Sequence, residues 1–167
     1  MGPKLDSIDT AKEGSSRVLT QFMVDLAQGN PIRLVDGGAQ KRCFTYVEDG
    51  IDALMKIIEN KDGVCDSEIF NIGNPANEYS VKELAEKLGV MFRDRKASIP
   101  NYQEPRIEGV DSGSFYGKGY QDIFTRKPSV EKAKRVLGWV PITNMDEALT
   151  ITMDAFLQEW NAGAGRE

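Results

Sequence analysis

Residues 32–60, IRLVDGGAQKRCFTYVEDGIDALMKIIEN, decide the class of fold. Ile32 to Val35 is a short β-type run, closed by Asp36-Gly37-Gly38, a strong turn signal. Phe44 to Val47 is a second extended stretch. Val47, Ile51, Leu54, Met55 and Ile58 then recur along one face of a helix that ends near Asn60. Strand, turn, strand and helix in so short a span predict a mixed α/β or α+β chain.

Upstream, MGPKLDSIDTAK reads as a polar loop. A helix follows from Ser15, with Val18, Leu19, Phe22, Met23 and Leu26 at 3–4 spacing and Gly29-Asn30-Pro31 as its stop. Downstream, Ile69-Phe70-Asn71-Ile72 reads as a brief strand before Gly73-Asn74-Pro75. Ser80-Val81-Lys82-Glu83 has the spacing of a capping box, in which the Ser oxygen and the Glu carboxylate satisfy orphan backbone N–H groups. The helix behind it would bury Val81, Leu84, Ala85 and Leu88. From Phe92 to Thr125 no period is visible, so the stretch reads as a long loop. Such a loop in a compact chain is functional or disordered. Two helices follow, from about Ser129 to Leu137 and from about Met145 to Trp160, the second capped by Thr143 and Asp146. The tail from residue 161 to 167 reads as frayed. About three strands and five helices are expected, few strands for a self-standing doubly wound sheet.

The chain has 167 residues, enough to bury roughly 70% of its unfolded surface without disulfide or metal staples. Lys and Arg number 21 against 26 Asp and Glu, a net charge of −5, which argues against nucleic acid as a partner. There is no histidine, which removes Ser-His-Asp triads, Cys-His pairs and most zinc sites. No metal is expected. Cys43 and Cys65 have no CxxC spacing and read as reduced thiols. No apolar run approaches ~18 residues and no signal-peptide pattern opens the chain, so the expectation is a cytoplasmic protein with no membrane partner.

Three clusters could carry chemistry. In Arg33 to Phe44, the Asp36-Gly37-Gly38 turn lets backbone approach a ligand, Gln40 offers an amide, and Arg33, Lys41 and Arg42 can neutralise a diphosphate. On spacing alone a hairpin turn with a solvated basic rim is the commoner reading. In Ser114 to Asp122, Tyr116, Tyr120 and two glycines suit a mobile loop that stacks a ring on a planar base, or aromatics closing over a core edge. Arg126-Lys127-Pro128-Ser129 places two cations before a helix, or simply a solvated basic face. No GxxGxxG phosphate loop and no YxxxK pair is present, so nothing in the sequence predicts a Rossmann-type dinucleotide site.

DGGAQKRCFTYVEDGIDAL and EIFNIGNPANEYSVKELAE resemble the nucleotide-sugar-binding stretch of extended short-chain dehydrogenase/reductases, the NAD-dependent epimerase/dehydratase family. MGPKLDS, GSSR, SFYGKGYQD and RKPSVEKAKRVLGW resemble its UDP-glucuronate decarboxylase branch, which serves the 4-amino-4-deoxy-L-arabinose modification of lipid A in polymyxin resistance. The resemblance implies that residues 1–167 are a C-terminal substrate-binding lobe, Met1 falling just after the family's active-site Tyr and Lys. It implies that NAD is bound by a missing Rossmann half and that this chain alone holds no cofactor and is inactive. It further implies a homo-oligomeric parent. UDP-glucuronate would be the substrate, oxidised at C4 and decarboxylated to a UDP-4-keto-pentose. Arg33, Asp36, Gly37, Gly38, Gln40, Lys41 and Arg42 would hold the UDP moiety, Tyr120 would pack on the uracil, and Arg17 would lie near the sugar and phosphates. Arg126 would be catalytic, protonating or electrostatically stabilising the carbanion left by decarboxylation. A free guanidinium is a poor acid, so the electrostatic role is at least as important. A UDP-apiose/UDP-xylose synthase or UDP-sugar 4-epimerase is the alternative within the family. A non-catalytic UDP-sugar-binding module is the alternative outside it.

Overall fold

The computed structural model describes residues 17–111 and 123–164. Within them the chain is mixed α/β, with five helices and five short strands. Helix α1 (Val18–Gln28) is followed by β1 (Ile32–Val35), β2 (Lys41–Cys43), α2 (Val47–Glu59), β3 (Glu78–Ser80) and α3 (Val81–Asp94). Strands β4 (Ile107–Val110) and β5 (Thr125–Arg126) precede α4 (Glu131–Leu137) and α5 (Met145–Ala164).

The strands form two small sheets. β1 and β4 pair in parallel, Ile32 opposite Ile107 and Val35 opposite Val110. β2 is the centre of the other, antiparallel to β3 and parallel to β5, giving the order β3-β2-β5. The chain passes from one sheet to the other through the Asp36-Gly37-Gly38 turn. All three residues have positive φ (47°, 75° and 68°), which glycine adopts without steric cost.

The main core forms where the apolar face of α1 (Leu19, Phe22, Met23, Leu26) meets α3 (Leu84, Leu88, Phe92), β1 (Ile32, Leu34) and α5 (Leu149, Met153, Phe156). α1 stops at Gly29, whose left-handed φ of 72° lets its N–H reach the Leu26 carbonyl. The capping box on α3 is complete. The Ser80 oxygen accepts from the Glu83 N–H, and the Glu83 carboxylate accepts from the Ser80 N–H and hydroxyl. Those bonds hold the Glu83 carboxyl below its ordinary range.

A second, smaller core joins Ala53 of α2 to Val130, Ala133 of α4 and Trp139, with Phe70 and Ile72 against it. A polar knot fastens it to the rest. The buried Asp49 carboxylate accepts from the Thr143 N–H and hydroxyl at 3.1 Å each, and the Trp139 indole donates to the Asp49 carbonyl at 3.0 Å. Asn74 and Asn77 both donate to the Thr143 carbonyl at 3.0 Å.

Several sequence expectations are corrected. The second extended stretch is Lys41–Cys43 rather than Phe44–Val47, and Val47 already begins α2. Residues 69–72 pair with no strand among the described residues. The aperiodic region contains the end of α3, which buries Phe92, and the paired strand β4. Asn144, not Thr143, caps α5, accepting from the Glu147 N–H, because Thr143 is already held by Asp49. Residues 161–164 are helical rather than frayed, and Asn161 donates to the Ser98 carbonyl. The expected N-terminal loop lies outside the described residues.

Candidate functional site

The three-stranded sheet brings two parts of the chain together that the sequence separates widely. In the parallel pairing of β2 with β5, Arg42 stands directly opposite Arg126, and Lys41 opposite Thr125. β5 is held at its start by the Lys41 N–H on the Phe124 carbonyl (2.7 Å) and by the Arg42 guanidinium on the Ile123 carbonyl (2.8 Å). Arg42 also donates to the Lys41 carbonyl at 2.7 Å.

Beside this pair lies an open cavity of about 640 Å³, lined by Arg42, Cys43, Asn71, Thr125, Arg126, Lys127, Pro128 and Ser129. Three of those side chains are cationic. Glu78, opposite Cys43 in the β2–β3 register, accepts from Lys127 at 3.3 Å. The Cys43 thiol is pushed up, first by burial and then by Glu78, with Lys127 opposing. A protonated thiol is a weak nucleophile, so the chemistry on offer here is binding of an anion by charge-assisted hydrogen bonds.

The far wall is set by a close approach. A Cβ on Gly73 would meet the Pro128 Cγ at 2.6 Å, so the proline ring rests directly on the Gly73 backbone. Pro128 in turn confines Lys127 to extended conformations and so directs how β5 leaves the sheet.

The remaining residues read from the sequence are distributed as follows. Arg33 is on β1, in the other sheet, opposite Glu108. Asp36 and Gly37 are exposed in the turn, whereas Gly38 is buried, a Cβ there coming within 3.0 Å of the Lys82 backbone N. Gln40 lends its carbonyl to the Val81 N–H, and Lys41 is exposed on β2. Arg17 is exposed and precedes α1. Neither it nor Arg33 lines the cavity. Tyr120 lies outside the described residues. Cys43 and Asn71 carried no functional signal in the sequence. They reach the cavity through strand register and through the contact between Gly73 and Pro128, which no local pattern encodes.

The Gly37-Gly38 turn does not fit a dinucleotide. A pyrophosphate is bound where a glycine-rich turn opens a helix. Here the Gly37-Gly38 turn leads from β1 into a strand, β2, and Gly38 is closed off by Lys82. Among the described residues no His, Cys, Asp or Glu group is arranged for a metal ion, and no helix is long and apolar enough to cross a membrane.

Residues 1–73 match the model of the NAD dependent epimerase/dehydratase family. Among solved structures, the chain is similar to the PbgP3 protein from Burkholderia pseudomallei, at 43% identity and a TM-score of 0.76, over 97% of this chain and 45% of that one. It has the fold of UDP-glucose 4-epimerase from Thermotoga maritima, solved with UDP-glucose (24% identity, TM-score 0.69, 95% of this chain and 43% of that one). It has likewise the fold of dTDP-glucose 4,6-dehydratase from Bacillus anthracis, solved with NAD (18% identity, TM-score 0.68, 86% and 40%). The architecture is therefore that of epimerase/dehydratase-type short-chain dehydrogenases, and the chain spans less than half the length of these structures.

Proposed function

We propose that this chain is the UDP-sugar-binding part of a NAD-dependent enzyme that decarboxylates UDP-glucuronate to a UDP-4-keto-pentose, within the lipid A modification behind polymyxin resistance. The observation that carries the reading is the pairing of Arg42 with Arg126 at one cationic cavity. A diphosphate and a carboxylate on one ligand need cations at two places, and adjacent parallel strands supply them side by side. The motifs from Arg33 to Arg42 and around Arg126, and the likeness to PbgP3 and to UDP-sugar enzymes, support the same substrate class.

In this reading Arg42 and Lys41, with Arg33, Gln40, Arg17 and the Asp36-Gly37-Gly38 turn, hold the UDP moiety, and Tyr120 packs on the base. Arg126 addresses the sugar carboxylate. When a β-keto acid loses CO2, the carbon–carbon bonding pair passes into an enolate, and a fixed guanidinium beside that oxygen stabilises it. The oxidation is assigned to no residue of this chain. In this proposal NAD and the Tyr/Lys pair are supplied by a further part of the enzyme, the chain alone is inactive, and the enzyme acts in the cytoplasm.

Calorimetric titration tests the substrate class. UDP-glucuronate should bind more tightly than UDP-glucose, and Arg126→Met should abolish that preference while leaving UDP affinity within a few-fold. Equal affinity for the two sugars in the wild type would remove the carboxylate from the assignment. Product analysis on the completed enzyme separates CO2 release from epimerisation.

A further inference from the structure

Two rows of residues cross the three-stranded sheet beside the cavity. One is the pairing of Arg42 with Arg126. The next is Glu78, Cys43 and Lys127. Glu78 on β3 stands opposite Cys43 on β2, and Lys127 follows Arg126 as Cys43 follows Arg42, so the parallel register carries Lys127 to the level of Cys43. Neighbouring strands lie about 4.8 Å apart, which leaves the backbones of Glu78 and Lys127 about two such spacings from one another. Their side chains nevertheless meet, the Lys127 Nζ donating to a Glu78 carboxylate oxygen at 3.3 Å. The lysine therefore reaches over Cys43. After burial, the charges that act on that thiol are Glu78, which raises its pKa, and Lys127, which lowers it.

The two ends of this pair are not equivalent. Lys127 lines the cavity with Arg42 and Arg126, and Glu78 is not part of that lining. The lysine side chain is 50% exposed and the glutamate 22%. At 3.3 Å the contact is longer than the ~2.8 Å of a well-made charge-assisted bond. A compact ammonium on a flexible stem can turn from one anion to another, whereas a carboxylate fixed in the sheet cannot follow it.

We propose that Lys127 is a further anion-binding residue of the cavity and that Glu78 is its built-in competitor, the carboxylate from which a ligand's diphosphate draws the ammonium away. Charge selects a diphosphate for this position. A single carboxylate would replace Glu78 by its like and gain nothing. Two adjacent phosphates offer the same ammonium two charges and several acceptor oxygens. This rests on the reading of the cavity as a UDP-sugar site, and adds to it how the grip on the diphosphate is held down in the empty protein.

The test is calorimetric titration of the 167-residue chain with inorganic pyrophosphate, UDP, UDP-glucose and UDP-glucuronate. Lys127→Met should weaken all four about tenfold, the loss of one charge-assisted contact. Glu78→Gln should tighten all four about two- to fivefold, the worth of a partly exposed ion pair that no longer has to be broken. In the Lys127→Met background, Glu78→Gln should leave affinity within about twofold, because the carboxylate acts through the lysine. A carboxylate that repelled anions at large would tighten binding in both backgrounds, and one that only supported β3 would weaken it in both. Lys56→Met removes the cation paired with Asp52 on α2, outside the cavity lining, and should change nothing. Lys127→Gln repeats the first arm if the methionine variant unfolds. Unchanged binding by both Lys127 variants, a loss from Glu78→Gln, a gain that survives in the double variant, or no binding of pyrophosphate and UDP by the wild type would overturn the proposal. Equal affinity for UDP-glucose and UDP-glucuronate, with the Lys127 and Glu78 effects intact, would fault the sugar assignment alone.

Discussion

Replacing Arg126 by methionine removes a charge while keeping a long side chain, and the structure makes it a clean perturbation. Arg126 is exposed on β5, an edge strand whose attachment is made through the Lys41 N–H and the Arg42 guanidinium. Folding therefore does not depend on it. The cavity is open, so two unit charges at 4 Å are worth at most about 4 kcal/mol at an effective dielectric near 20. A charge-assisted hydrogen bond in such a place nets about 1.5–3 kcal/mol, or roughly 10- to 150-fold in affinity. That loss should appear for UDP-glucuronate and be absent for UDP. In the enzyme completed by its NAD-binding portion, decarboxylation should fall further, by about 3–4 kcal/mol or several hundredfold, because the charge on the enolate exists only after the bond breaks. Arg126→Lys should rescue little, since a point charge replaces a planar fork. CO2 release at saturating substrate is the assay. A methionine variant within tenfold of wild type would refute the reasoning and reduce Arg126 to a solvated cation.

Gly73→Ala should displace Pro128, whose Cγ occupies the place a Cβ needs, and weaken UDP-glucuronate more than UDP; unchanged binding of both ligands, or the same fold loss for both, would show that the contact does not position Arg126. Ser80→Ala should cost about 1 kcal/mol of stability in urea unfolding by removing the capping oxygen. Because the folded Glu83 carboxyl is held below its ordinary value, its contribution is full above the unfolded pKa, around 4.3, and is lost as pH falls through the folded one. The acid limb of the stability curve should therefore flatten in Glu83→Gln, and an unchanged limb would count against the sign. Asp49→Ala strands the Thr143 N–H and hydroxyl in a buried site, which should cost about 1–3 kcal/mol for each group and lower the melting temperature by several degrees.

Local patterns carried much of the fold. α1, α3 and the turn at residues 36–38 follow from spacing, a stop glycine and a capping box, all written within a few residues of where they act. The strands were harder, because three of the five have only two or three residues and take their place from pairing rather than propensity. β4 was hidden for the same reason: Ile107–Val110 includes Gly109 and is a strand because β1 lies beside it. Thr143 looked like a helix cap and is instead bound to Asp49, 94 residues away.

The candidate site divides along the same line. Arg42 and Arg126 were legible as separate basic signals, each with an equally ordinary reading as a solvated cation. What distinguishes them is their register on adjacent strands, a relation across the fold that neither segment contains. The apolar face of α2, formed by Val47, Ile51, Leu54, Met55 and Ile58 and exposed in the structure, has the opposite character. Its period is plain in the sequence and was read correctly as one face of a helix, but periodicity states only that a face is apolar, not what covers it. In this chain the core takes Asp49 and Ala53 and leaves the stripe outside, because the buried face is chosen by Trp139 and Thr143, 90 and 94 residues from Asp49, and not by the period.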